Sequence, residues 1–109
     1  MSFVNVRERI EFRPEKLNKV SLFDVPELFL DVYCLEPGQA QQPHVHANNA
    51  KIYYVLDGEG TFVVGTEERA LGPGNAVLAP AGEPHGVRNA TEQRLTLLVT
   101  MAPNPNSKG

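Results

Sequence analysis

The chain has 109 residues, with ten Lys and Arg against thirteen Asp and Glu for a formal net charge of −3. That length holds one domain. The absence of a basic run excludes a nucleic-acid surface, and no stretch approaches the roughly twenty apolar residues that cross a bilayer as a helix. A single cysteine, Cys34, excludes an internal disulfide framework. The charged first twelve residues lack the apolar run of a signal peptide, so the expected compartment is cytoplasmic.

Residues 14–19 open on Pro14, whose fixed φ suits a first helical turn, and are expected to form one short helix. Elsewhere nine glycines and nine prolines punctuate the chain, as in short strands joined by turns. Residues 28–35 are apolar, partly β-branched, and end at the turn signal Glu36-Pro37-Gly38. Residues 52–56 and 61–64 flank Asp57-Gly58-Glu59-Gly60, and Asp-Gly between apolar runs predicts a hairpin. Gly72-Pro73-Gly74 marks another turn, before strands over residues 75–79 and 94–100. Residues 102–109 are polar and rich in turn formers and are expected to be a disordered tail after a single domain over 1–101. These elements describe an all-β sandwich or barrel with at most one short N-terminal helix.

All three histidines lie in patterned runs. His44 and His46 are two apart, and residues i and i+2 of a strand point to one face. Imidazole is the commonest protein metal ligand, so the pair can chelate one ion. His85, about forty residues later, can close the site from a different strand.

These runs resemble the two motifs of the cupin family. The first is Gly38, five residues, His44-Val45-His46, four residues, Lys51, six residues, Gly58. The second is Gly74, five residues, Pro80-Ala81-Gly82, two residues, His85, three residues, Asn89. The motifs span 38–58 and 74–89. The resemblance implies a double-stranded β-helix (jelly-roll) barrel with a divalent metal at its mouth, held by His44, His46 and His85. It also implies a homodimer, since small single-domain cupins often pair through their N-terminal strands. Family members include dioxygenases, isomerases, decarboxylases, epimerases and non-catalytic binders, so the fold leaves open whether this chain is an enzyme.

One position departs from the pattern. The family glutamate falls three or four residues after His46, where this chain has Ala50 and Lys51. Three neutral imidazoles disfavour hard, oxygen-seeking cations such as magnesium and suit Fe, Ni, Zn, Cu, Co or Mn. Strand alternation places Lys51, Tyr53 and Val55 on the face that lines the cavity in the family. An ammonium about 5 Å from a dication is repelled by roughly 6–7 kcal/mol at an effective dielectric near 20. Lys51 therefore has three outcomes. It can snorkel to the barrel rim. It can stay neutral through a depressed pKa. Or it can meet an anionic molecule bound to the metal. The last two make Lys51 a candidate catalytic residue, with Tyr53 a second candidate through its hydroxyl.

Cys34 reads as a small buried residue, and Gln41, Gln42, Asn48 and Asn49 as weak carbonyl ligands or solvated loop. Asn89 is expected to hold its loop, and Arg88 to bind an anion or face water. The expected function is a small metal-binding cupin that binds or transforms a small anionic organic molecule by dioxygenase-, isomerase- or cyclase-like chemistry, in a biosynthetic pathway for example. The alternative is a ligand-binding or sensing module with a structural metal or none.

Overall fold

A computed structural model of the protein describes residues 2–106. Nine strands follow in chain order: β1 Asn18–Val25, β2 Leu28–Leu35, β3 Ala40–His44, β4 Ala50–Asp57, β5 Gly60–Val64, β6 Glu67–Leu71, β7 Ala76–Ala79, β8 His85–Arg88 and β9 Leu95–Ala102. They form two antiparallel sheets, β1-β2-β9-β4-β7 and β3-β8-β5-β6, packed as a double-stranded β-helix. Among the described residues no helix is long and apolar enough to cross a membrane.

Period-two alternation builds the core. On β9, Leu95, Leu97, Val99 and Met101 point inward and are buried. Beside them on the same face lie Phe29, Tyr33 and Leu35 of β2 and Tyr53 and Val55 of β4, and from the other sheet come Phe62 of β5 and Val87 of β8. Each such apolar side chain contributes about 1.5–3 kcal/mol on burial. Asn89 holds the loop after β8, as expected: its amide donates to the Leu35 and Gln93 carbonyls, and its Oδ1 accepts from the backbone and hydroxyl of Thr91.

Several expectations are corrected. Residues 14–19 form no helix, because Asn18 and Lys19 open β1, paired to Cys34 and Tyr33 of β2. Backbone pairing with a neighbouring strand overrides the local preference after Pro14. The helical content among the described residues is instead a 3-10 turn, Val6–Arg9, capped by Asn5. β6 is an edge strand whose exposed Glu67, Glu68 and Arg69 hide it from a hydrophobic pattern while protecting the edge. At the C-terminus the packed chain runs past residue 101: Ala102 belongs to β9, and Asn104 is buried with its amide on the Val25 carbonyl and Asp24. Residues 107–109 of the expected tail lie outside the described residues.

The Asp57–Gly60 turn is not a hairpin. β4 pairs with β7 and β9, whereas β5 pairs with β6 and β8, so the turn carries the chain from one sheet to the other. Gly58 has φ +82°, and a Cβ there would lie 2.2 Å from the Arg94 carbonyl oxygen. Gly58→Ala is therefore expected to cost about 3 kcal/mol or more, from a left-handed backbone plus a clash with main chain that cannot rotate away. Urea denaturation measures it, and a loss below about 1 kcal/mol would show that the turn yields easily.

Candidate metal centre

Backbone pairing assembles the three histidines. His44 ends β3 and His85 begins β8, and the two are direct cross-strand partners. The ladder slips between Gln41 and His44, and this irregularity needs Gly86: a Cβ there would lie 2.7 Å from the Gln41 carbonyl oxygen. His46 lies just beyond β3, where its carbonyl accepts from the Gly82 amide at 2.9 Å. The second motif's glycine thus ties the two histidine-bearing segments together.

The ligand nitrogens of His44, His46 and His85 lie within 4.8 Å of one another. Ligation at 2.0–2.1 Å places such nitrogens about 2.9–3.4 Å apart, so small ring rotations suffice. His44 Nδ1 sits 3.1 Å from the Gln42 carbonyl and His85 Nδ1 3.0 Å from the Glu83 carbonyl. An Nδ1–H donated to a carbonyl leaves Nε2 with its lone pair free, the usual outer-shell orientation of a ligating imidazole. His85 Nε2 is buried without a hydrogen-bond partner among the described residues, a costly arrangement that an ion would relieve. Burial lowers the pKa of both His46 and His85, and Lys51 and the neighbouring imidazoles add to it. The neutral ring is the form that binds metal. The residues fit a divalent transition metal.

Lys51 does not reach the barrel rim: it is 1% exposed. Strand β4 alternates as expected, with Lys51, Tyr53 and Val55 buried and Ile52 and Tyr54 exposed. The Lys51 ammonium donates to Gln41 Oε1 at 3.0 Å and lies 5.2 and 5.0 Å from the ring centres of Tyr33 and Tyr53. Burial, reinforced by the like charge of Lys19 and opposed by Asp31, pulls its pKa down to about 7. The Tyr53 hydroxyl also donates to Gln41 Oε1, at 2.8 Å, which commits its proton to the wall of the cavity. Burial pushes its pKa upward.

His44, His46, Lys51, Gln41, Lys19 and Asp31 line one cavity of about 140 Å³. The last three carry no motif signal. Gln41, read from sequence as metal loop, is a buried hub in β3. Asp31 was hidden because it interrupts an otherwise apolar strand, and Lys19 because its segment reads as helix. Arg88 faces outward, paired with Glu68.

A model of the cupin domain matches residues 31–101. The crystal structure of TT1209 from Thermus thermophilus superposes with a TM-score of 0.93 at 45% identity, over 96% of this chain and all of its own. A double-stranded β-helix protein of Klebsiella pneumoniae superposes with a TM-score of 0.88 at 20% identity, over 98% of this chain and 94% of its own, a likeness of fold. The oxalate-binding protein of Thermotoga maritima is 28% identical over 85 residues, 78% of this chain and 69% of that protein.

Proposed function

The chain belongs to the cupin domain family, and from that premise we propose that it holds a divalent transition metal on His44, His46 and His85 and binds a small organic anion between that metal and Lys51. The observation that carries this function is a buried ammonium with no carboxylate in contact, beside three imidazoles. Its neighbours are a neutral amide oxygen and two aromatic rings. A buried cation with no carboxylate in ion-pair contact is expensive, and a dication on the histidines would raise the cost. A ligand carboxylate lowers both. The cavity of about 140 Å³ holds roughly five waters at about 30 Å³ each, which suits a ligand of a few heavy atoms. The oxalate-binding relative agrees with that size and charge.

When bound, the metal would polarise a ligand oxygen or activate a small molecule. The chain's own residues orient the anion: Lys51 fixes one end, and Gln41 and Tyr53 hold Lys51 in place. The same geometry serves a binding module, and turnover separates the two.

Metal content tests the proposal. Protein purified without chelator or nickel resin, measured by mass spectrometry, is expected to carry about one metal per chain, and the His44→Ala, His46→Ala variant almost none. Oxalate binding by calorimetry should follow the metal. Equal, near-zero metal in both proteins would overturn the site.

We infer a homodimer as well. Leu30, Thr100, Ile52 and Leu78 lie in one row across the outer face of the larger sheet. Ile52, Tyr54 and Leu78 are 42, 40 and 57% exposed, and Phe3 on the N-terminal segment is 88% exposed. Such a face favours self-association. Sedimentation equilibrium is expected to give twice the monomer mass, and Phe3→Asp with Leu78→Lys to give the monomer; a monomeric wild type overturns the dimer.

A further inference from the structure

Asp31 belongs to neither motif, yet it occupies an inward position of β2. Phe29, Tyr33 and Leu35 on the same face are core residues at 7, 2 and 0% exposure. A carboxylate in that row does nothing for the core and costs desolvation. Among the described residues it has no hydrogen-bond or ion-pair partner. It opens instead onto the cavity that His44, His46 and Lys51 share.

The register places it on the same inward sheet face as Lys51, two strands away and diagonal to it. Asp31 pairs with Val99 of β9, and Val99 pairs with Tyr53 of β4, two residues beyond Lys51 on the same inward face. Two strand spacings and a two-residue offset, about 12 Å in all, separate the backbones that bear the two groups. Both side chains line one cavity and form no ion pair with each other, so a small ligand can contact both. Around Asp31 stand Lys19 and Asp24 from β1, Tyr33 from its own strand, Lys51 from β4, and His44 and His46 across the cavity. Burial outweighs the two lysines and brings the carboxyl up to about 6. An acid and a base that line one small cavity without pairing, both titrating near neutrality, are arranged to move a proton on a bound molecule.

We propose that Asp31 is a catalytic proton acceptor and Lys51 the donor, so that the cavity tautomerises a compact 2-oxo carboxylate; this rests on the anion site proposed above. The C–H bond on the carbon beside the ketone breaks and its proton passes to an Asp31 oxygen. The bonding pair becomes the C=C bond of the enol, and the carbonyl π pair moves to oxygen, which takes a proton from the Lys51 ammonium. Return of both protons by the reverse path restores the two side chains. No oxidant or reductant is consumed.

Zinc-loaded protein in D2O with pyruvate, 2-oxobutyrate or oxaloacetate tests this by NMR. Wild type is expected to exchange the C3 protons about 100-fold or more faster than Asp31→Asn. Asp31→Asn should bind oxalate, which has no such proton, at least as tightly as wild type, because a like charge is gone. A second readout needs no turnover: oxalate should raise the titration midpoint of 13C-labelled Asp31. A midpoint that stays put, or wild-type exchange no faster than Asp31→Asn with all three acids while oxalate still binds, overturns the proposal alone. A wild type that binds no oxalate overturns the anion site beneath it.

Discussion

Lys51→Met is expected to stabilise the metal-free protein by about 2–4 kcal/mol near pH 6 while removing most of its oxalate affinity. Methionine keeps the length of the stem and fills the same space between Tyr33 and Tyr53, but it brings no charge that must be desolvated. The sign and window follow from the two protonation equilibria. Unfolded lysine keeps its proton up to its ordinary value of 10.5, and the buried one only up to about 7. Between those values the unfolded chain binds the extra proton, so wild-type stability climbs as pH rises through that window. Below about 7 both forms are protonated and the full burial cost is present. The gain from methionine is therefore largest below pH 7 and shrinks toward pH 10. Asp31 acts in a separate range: its folded value of about 6 lies above the unfolded 3.8, so its contribution is complete below 3.8 and is lost as pH rises to 6. Urea denaturation of both proteins at pH 6 and pH 9 reads the effect. An equal gain at both pH values, or a loss, would mean that the ammonium is compensated in the fold. Oxalate affinity should strengthen in wild type as pH falls through about 7, because the ammonium is the form that meets the anion, and Lys51→Met should flatten that dependence.

Lys51→Glu is expected to reverse the preference of the site, tightening metal binding by about 100-fold or more, which is roughly 3 kcal/mol. The full attraction between a carboxylate and a dication about 5 Å apart is roughly 6–7 kcal/mol at an effective dielectric near 20, and the loss of the ammonium removes a repulsion of similar size. Burial of the new carboxylate offsets part of both. Oxalate affinity should fall, since an anion now meets an anion. Competition with a chromogenic chelator measures the metal, and calorimetry the oxalate. Unchanged metal affinity would show that position 51 does not face the histidines. Together the two variants separate the roles of the wild-type lysine: one removes the charge, the other inverts it.

Much of the fold and site could be read without coordinates, and where that failed the cause is specific. The period-two face of residues 28–35 and 52–56 and the spacing of His44, His46, Lys51, His85 and Asn89 are local properties, so they survive in the sequence. The segment opening β1 looked like helix because Pro14 favours a first turn, and only the ladder from Asn18 to Cys34 makes it extended. The turn at Gly58 looked like a hairpin because Asp-Gly between apolar runs is a hairpin signal. Which sheet each flanking strand joins is set by β9 and β8, which arrive later in the chain by more than twenty residues. Gln41 reads as loop, and Asp31 passes unmarked within an apolar strand, since neither carries a motif.

The sequence by itself determined the family motifs, the three imidazoles and the substitution of an ammonium for a carboxylate, because these depend only on residue type and short spacing. The tertiary structure alone decided what that ammonium experiences. Depth, the neutral oxygen of Gln41, two tyrosine rings and the distance from Asp31 all come from strands that meet only when the sheets close. Electrostatic energy depends on dielectric and separation rather than on order along the chain. The lysine therefore became a buried, ligand-facing charge only once the barrel was assembled around it.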